Sequence, residues 1–327
     1  MRRLLIAAVL LTLGGKTAPA SSALPPSMAV GGKTAPASSA LPPSMAVAHA
    51  QRCNGTGVAL QVLGSGGPEL QTKRASSSYL IWIDGKARVL VDAGGGSALR
   101  FGESGAQMAD LDVVLFTHLH ADHTADLPAL IQSSWFESRA RPLPIYGPGG
   151  NRLMPSTVTF VRALFDGTRG AYRYLGEFIS PLDKSSYKLD PRDVREPAPK
   201  IGAPRKKQPL VLPVFSNERM RVSAVVIPHG LLPALAFRIE AGGKAIVFSG
   251  DTNGSGDNLP VLAAGADLLA AHHAVPENTG GVERALHMPP SVIGHIAQAA
   301  KTKQLVLSHR MLHTLGKEEE TLAAIRR

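Results

Sequence analysis

The 327-residue chain has a single cysteine, Cys53, so no disulfide can form within it. Aromatic residues make up only 5% of the total, against 33 glycines and 25 prolines. That balance argues against a helical bundle and suits many short strands joined by tight turns. Long apolar runs are also missing: Leu4 to Leu13, at the start of the chain, falls short of the ~20 residues that a membrane-spanning helix needs. Acidic residues are outnumbered 25 to 35, for a formal charge of +10. Residues 1–50 carry four of the basic residues and no acid, which leaves the remainder mildly basic at +6. Such a surface favours anionic substrates, and its one dense cluster, Lys200 to Lys207, reads as a solvated loop. What is abundant is hydrophobic residues, at 44%, enough to bury a full core and to exclude disorder of the whole.

The first 50 residues read as a leader. Arg2 and Arg3 precede the apolar run, and Ala48-His49-Ala50 offers small residues for cleavage, the pattern of an export signal to the periplasm or outside. Both the twin-arginine and the ordinary route stay open. Between these landmarks, Gly14 to Val30 recurs letter for letter as Gly31 to Val47. A Pro/Ser/Ala-rich repeat in two copies has no apolar face to stack, so it reads as a duplication inside the leader. Residues 51–327 are then expected to form one domain.

From Val58 the pattern becomes regular. Val58 to Leu63, Tyr79 to Ile83 and Arg88 to Val91 are short apolar or alternating runs separated by glycine-rich turns, hence strands. Val113 to Phe116 is a buried-strand run, and Ala125 to Glu137 has helical spacing. Residues 139–219, rich in proline, are expected to be an irregular insertion with one helix over Val158 to Phe165. Strands return at Met220 to Ile227, Leu235 to Ile239, Ala245 to Phe248, Leu268 to Ala271 and Leu305 to Leu307, with helices near 290–301 and 317–326. Strands followed by helix, twice over, predict an α/β fold of two sheets between outer helices.

The run His118-Leu119-His120-Ala121-Asp122-His123 sits on the strand-to-helix loop after Phe116. Imidazoles two apart on an extended loop point the same way, so His118 and His120 can grip one cation while Asp122 and His123 face another. Imidazole plus carboxylate, with no thiolate, suits zinc and also manganese or iron.

This run resembles the signature of the metallo-β-lactamase superfamily, and further motifs follow in the order that family implies. Val225-Val226-Ile227-Pro228-His229-Gly230, then Phe248-Ser249-Gly250-Asp251-Thr252, then Leu305-Val306-Leu307-Ser308-His309 are similar to motifs of its ribonuclease Z, phosphodiesterase and arylsulfatase-like branch. The resemblance implies a four-layer αββα sandwich and two zinc ions. His118, His120 and His229 would hold one ion, Asp122, His123 and His309 the other, and Asp251 would bridge, with water shared between the cations as nucleophile near ~pH 7. Asp92, at the end of Leu90-Val91-Asp92, would orient a ligand histidine, with His272 and His273 as further outer residues. His287, in His287-Met288-Pro289-Pro290, stands where the branch carries a histidine thought to protonate the leaving group or stabilise its charge. Asp122 and His287 are therefore the catalytic candidates. Lys73 and Arg74 resemble part of the first motif. Trp135, Phe136, Phe165, Tyr172 and Tyr174 are candidates to line an apolar substrate pocket, and His295 and His313 are expected to be structural.

One departure stands out: ribonuclease Z-like enzymes place a His-Glu pair where this chain has His272-His273. The expectation is therefore an exported two-zinc hydrolase acting on a small anionic or aromatic phosphoester, sulfate ester, ester or lactone. A ribonuclease Z-like nuclease, a hydrolytic dehalogenase or β-lactam hydrolase, and a non-catalytic metal-binding module are the alternatives. On the leading expectation nucleic acid is not the partner, and a homodimer is left open.

Overall fold

The computed structural model describes residues 55–197 and 209–327. The leader, its duplication, Cys53 and the Lys200 to Lys207 cluster lie outside the described residues. By internal contacts the chain divides into two units, Met1–Val47 and Ala48–Arg327, and every described residue belongs to the second.

Among the described residues twelve strands form two six-stranded sheets. The first sheet holds β1 (Val58–Gly64), β2 (Ser78–Ile83), β3 (Lys86–Val91), β4 (Val113–Leu115), β5 (Leu143–Pro148) and β6 (Leu189–Val194), in that spatial order. The second holds β7 (Leu212–Ser216), β8 (Met220–His229), β9 (Leu232–Ala241), β10 (Lys244–Phe248), β11 (Leu268–His272) and β12 (Leu305–Ser308), ordered β12-β11-β10-β9-β8-β7. Each sheet has an antiparallel half and a parallel half: β3 to β6 run parallel, as do β10 to β12.

Three apolar clusters show the layering. All of Ser78–Ile83 is buried because both faces of β2 are covered. Tyr79, Ile81 and Ile83 pack between the sheets with Phe237, Ile239 and Phe248. Leu80 and Trp82 face the opposite way, beneath α1 (Ser97–Ser104), α3 (Leu127–Ser133) and α4 (Thr157–Phe165). The outer face of the second sheet, with Val225, Val247 and Leu269, is covered by α5 (Asn258–Leu262) and α7 (Pro290–Ala299). Helix, sheet, sheet, helix is the expected four-layer αββα sandwich.

The expectation of an irregular insertion over 139–219 is corrected: β5, β6 and β7 lie in this segment and belong to the sheets. The prolines misled because they sit where strands tolerate them. Pro191 is on β6 and Pro213 on β7, the edge strands of their sheets, and Pro144 precedes the stretch of β5 that pairs with β4. The single helix expected over Ala125 to Glu137 is also divided. A short turn, α2 (Ala121–Thr124), is followed by α3 with Pro128 in its first turn, then a 3-10 turn over Ser134–Phe136. Among the described residues no helix is long and apolar enough to cross a membrane.

Candidate metal centre

Parallel strands carry their chemistry at their C-terminal ends, and both parallel halves end on the same side. Asp92 follows β3, the run His118 to His123 follows β4, Asp251 follows β10, His272 ends β11 and His309 follows β12. His229 closes β8 at a tight hairpin turn to β9. The two sheets are tied together here, where Leu235 N–H donates to the Thr117 carbonyl (2.8 Å).

The histidines and carboxylates expected from sequence converge. Ligand atoms of His118, His120 and His229 form one compact group, those of His123, Asp251, His272 and His309 a second, and those of His229, Asp251 and His287 a third. Asp251 Oδ2 stands between the first two, 3.8 Å from His118 Nε2, 3.8 Å from His123 Nε2, 4.0 Å from His229 Nε2 and 3.3 Å from His309 Nε2. Asp122 Oδ2 lies 3.1 Å from His309 Nε2 and 3.6 Å from His123 Nε2.

The donor set fits divalent cations on an observation independent of any motif. His123 Nε2 and His229 Nε2 are buried without a hydrogen-bond partner, a costly arrangement for polar nitrogens unless a cation takes their lone pairs. The opposite ring nitrogen of each is engaged. His229 Nδ1 donates to the Leu286 carbonyl (3.0 Å), and His123 Nδ1 donates to Asp92 Oδ2 (2.8 Å). Each contact turns Nε2 toward the centre as an acceptor. Asp92 is itself held in the left-handed region (φ 57°), where its carboxylate also accepts from Thr117 N–H and Oγ1–H, both at 2.8 Å. His309 shares that conformation (φ 56°), so backbone strain falls on two residues of the site.

Charge follows the same logic. Burial pushes Asp251 toward the neutral form, but His309, His272 and His123 hold its carboxyl well below the usual carboxylate range. Burial likewise opposes the charge on His123, yet the Asp92 carboxylate holds it up at about 9. His309 is raised against its burial by Asp251 and Asp122. Burial lowers His118, His120 and His272. A raised histidine stabilises the fold below its unfolded value of ~6.5 and loses that contribution as pH climbs through the raised value. A lowered histidine destabilises as pH falls below ~6.5. The metal-stripped protein is therefore expected to be most stable near ~pH 6.5, with Tm falling toward pH ~9, while the zinc-loaded protein holds its Tm over that alkaline interval. Thermal scans of both forms check this, and a flat or rising Tm of the stripped form between pH ~7 and ~9 contradicts it.

Residues around the centre divide by the face they present. His272 faces in: its Nδ1 donates to Asp251 Oδ1 (2.7 Å), and Tyr79 Oη lies 3.0 Å from its Nε2 and 2.7 Å from Ser308 Oγ. Tyr79 is not legible in the sequence because it meets His272 across 193 residues and from the opposite sheet. Burial pushes its phenol up, so it keeps its proton. Removing that hydroxyl in Tyr79→Phe is expected to weaken zinc retention about 10-fold in chelator competition, with kcat at saturating zinc little changed. Equal retention by the two proteins would remove Tyr79 from the support of Asp251.

The placement of His273 as an outer residue of the site is corrected. Successive residues at the end of β11 point to opposite faces, so His273 turns away, into a small hollow with Glu277, Thr314 and Glu320. Neither of its ring nitrogens has a hydrogen-bond partner, and burial, then Arg310, lowers it to about 4. The departure from a His-Glu pair therefore does not touch the centre. The aromatic residues do not form the expected pocket either. Phe165 is in the core, and Trp135, Tyr172 and Tyr174 contact one another on the outer surface, where Phe136 is 86% exposed. His295 is exposed on α7, His313 is bound to the Ala274 carbonyl, and Arg74 pairs with Ser65 at the surface.

His287 does reach the centre. It follows α6 (Gly281–Leu286), one residue after the carbonyl that fixes His229, and its Nδ1 is 3.9 Å from Asp251 Oδ2. Burial lowers it to about 4 against the pull of Asp251.

Comparison with known proteins adds to this geometry. Residues 72–293 match the family model described as metallo-beta-lactamase superfamily. A protein named ribonuclease Z from Mycobacterium bovis is 32% identical over 213 residues, 64% of this chain and 68% of that protein. Another of that name from Methanosarcina mazei is 26% identical over 267 residues, 76% and 85% of the respective chains. Among solved structures, human tRNase Z, short form, superposes with a TM-score of 0.61 at 22% identity, covering 78% of this chain and 93% of that one. The fold protein YhfI of Bacillus subtilis has a TM-score of 0.61 at 21% identity, with coverages of 82% and 91%.

Proposed function

Since the chain belongs to the metallo-β-lactamase superfamily and is a metal-dependent hydrolase, we propose that it cleaves a phosphodiester at a centre holding two zinc ions. The observation that carries the proposal is the position of Asp251 Oδ2 between the two ligand groups, within 4.0 Å of a histidine nitrogen from each. His118, His120 and His229 would hold one ion, Asp122, His123 and His309 the other, and Asp251 both. When bound, such a pair supplies Lewis acidity, acidifying water and neutralising charge on phosphoryl oxygens.

The rest is the work of the chain's own side chains. Asp92, the Leu286 carbonyl and the Tyr79–His272 pair fix the orientation of His123, His229 and Asp251, so little reorganisation accompanies reaction. Asp122, 9% exposed at its side chain, stands at the edge of the centre, where it can accept the proton of the attacking water. As the new P–O bond forms and the bond to the leaving oxygen breaks, His287, kept neutral by its burial, donates its ring N–H as a hydrogen bond to that oxygen, which then takes a proton from solvent.

A phosphodiester is preferred over the sulfate ester, ester and lactone because the relatives bear the name of a ribonuclease, and a ribonuclease cuts phosphodiesters. The same names favour a polynucleotide as a second reading over the expected small molecule, and His273 no longer speaks against it. Export to the periplasm, resting on the leader alone, remains part of the proposal.

A panel of bis(p-nitrophenyl) phosphate, p-nitrophenyl sulfate, an aryl ester, a lactone, a β-lactam and a 3′-extended transfer RNA tests the reading. Turnover of the diester by the zinc-loaded protein, with or without the RNA, supports it. Turnover confined to the sulfate, ester, lactone or lactam overturns it.

A further inference from the structure

Beside the centre, a groove of about 390 Å³ runs between the ends of β5 and β6 and the β8–β9 hairpin, and His229 lines it. We propose that this groove seats the non-reacting arm of the substrate, and that Arg195 binds a second anionic group on that arm. The proposal rests on the phosphodiester reading and extends it: the substrate is a diester carrying a further negative group, as the next phosphate of an oligonucleotide does.

The lining explains the choice. Among the described residues, apart from His229, Arg195 is its one ionisable side chain, and no carboxylate lines the groove. Leu231, Pro233, Val194 and Pro148 make the rest of the surface largely apolar, suited to the flat face of a sugar, base or aryl ring. The Arg195 side chain is 58% exposed, so a ligand can reach it, and it is held at two points. Its stem lies across the backbone of Gly149, where an added Cβ would come within 2.4 Å of both Cγ and Nε, so glycine is required for the side chain to lie there. Asp193 Oδ2 accepts from Nη2 (2.6 Å) and holds one corner of the guanidinium, and Asp193 Oδ1 is engaged by Val158 N–H. Among the described residues Nε and Nη1 of Arg195 make no hydrogen bond, so the Nη2–H that Asp193 leaves free and the N–H parallel to it, on Nε or Nη1, form a fork that can grip phosphate. At the mouth, Asn151 Nδ2 donates to the Leu231 carbonyl (2.8 Å), tying the loop after β5 to the hairpin and fixing the width of the groove. His229 belongs both to the ligand cluster and to the groove, so the groove opens beside the centre.

The test compares the p-nitrophenyl ester of thymidine 5′-phosphate with the same ester carrying an additional 3′-phosphate. The zinc-loaded wild type is expected to favour the latter about 10-fold in kcat/KM, mostly through KM, as a charge-assisted hydrogen bond worth roughly 1.5 kcal/mol implies. Arg195→Gln collapses that preference to about 1, and Arg195→Lys, keeping the charge but not the fork, retains part of it. A preference that survives in Arg195→Gln, or that wild type lacks, overturns the proposal. Equilibrium binding of thymidine 3′,5′-bisphosphate to both proteins separates this from the phosphodiester reading. If neither ester is hydrolysed, that reading fails, yet 10-fold weaker binding by Arg195→Gln still supports the groove assignment, and equal binding rejects it.

Discussion

Asp251→Asn is expected to lower kcat/KM for a phosphodiester by about 1,000-fold or more and to reduce bound zinc from two ions per chain to one or none. The change conserves volume and removes only charge. Five histidine nitrogens, those of His118, His123, His229, His287 and His309, stand within 4.0 Å of Asp251 Oδ2. An amide presents one neutral oxygen where the carboxylate presents a charge, and cannot balance two cations. It also disturbs His272, whose Nδ1–H donates to Oδ1 of the carboxylate. Asp251→Ala adds a buried cavity and is expected to be at least as inactive and less stable. Atomic emission analysis of zinc, together with steady-state kinetics, checks both. Retention of two tightly bound ions by Asp251→Asn would contradict the bridging assignment, because each ligand group would then hold its ion unaided.

The second large effect concerns His287. It lies near the same carboxylate, in a third possible group with His229 and Asp251, but neither of the two ion positions assigned above uses it. His287→Ala is therefore expected to keep its full zinc content. On a substrate with a sugar hydroxyl as leaving group, whose oxygen needs a proton, kcat should drop about 100- to 1,000-fold. On bis(p-nitrophenyl) phosphate, whose nitrophenolate leaves unaided, the loss should be within a few-fold. That split distinguishes an acid or hydrogen-bond donor from a structural part: loss of zinc, or an equal loss on both substrates, would assign His287 to the ligand shell or to the fold instead.

The legible part of the site was the part written close together. The spacing of His118, His120, Asp122 and His123 places imidazoles and carboxylate on one loop, whereas His229, Asp251 and His309 were legible only through motifs resembling those of the family, and the topology brings them to the same side. The layers were legible too, since doubly covered strands such as Ser78–Ile83 read as short apolar runs. What a linear reading lacked was facing and distance. His272 and His273 are adjacent and of one type, yet strand alternation sends one to Asp251 and the other beneath α8 (Glu318–Ile325). Tyr79 looks like any core aromatic until Ser308 and His272 are seen around its hydroxyl. The prolines of β6 and β7 read as breakers because edge position is a property of the sheet, not of the segment. Trp135 and Tyr174 promised a pocket by chemistry alone, and the fold put them on the outside.

Two cations, held by these seven side chains, are proposed to act together on a phosphodiester. Zinc titrated into the chelator-stripped protein, with bis(p-nitrophenyl) phosphate hydrolysis followed at each addition, decides whether they do. Little activity is expected up to one equivalent, with a break at two equivalents per chain. Full activity at one equivalent, or hydrolysis by the stripped protein, would contradict a two-metal centre.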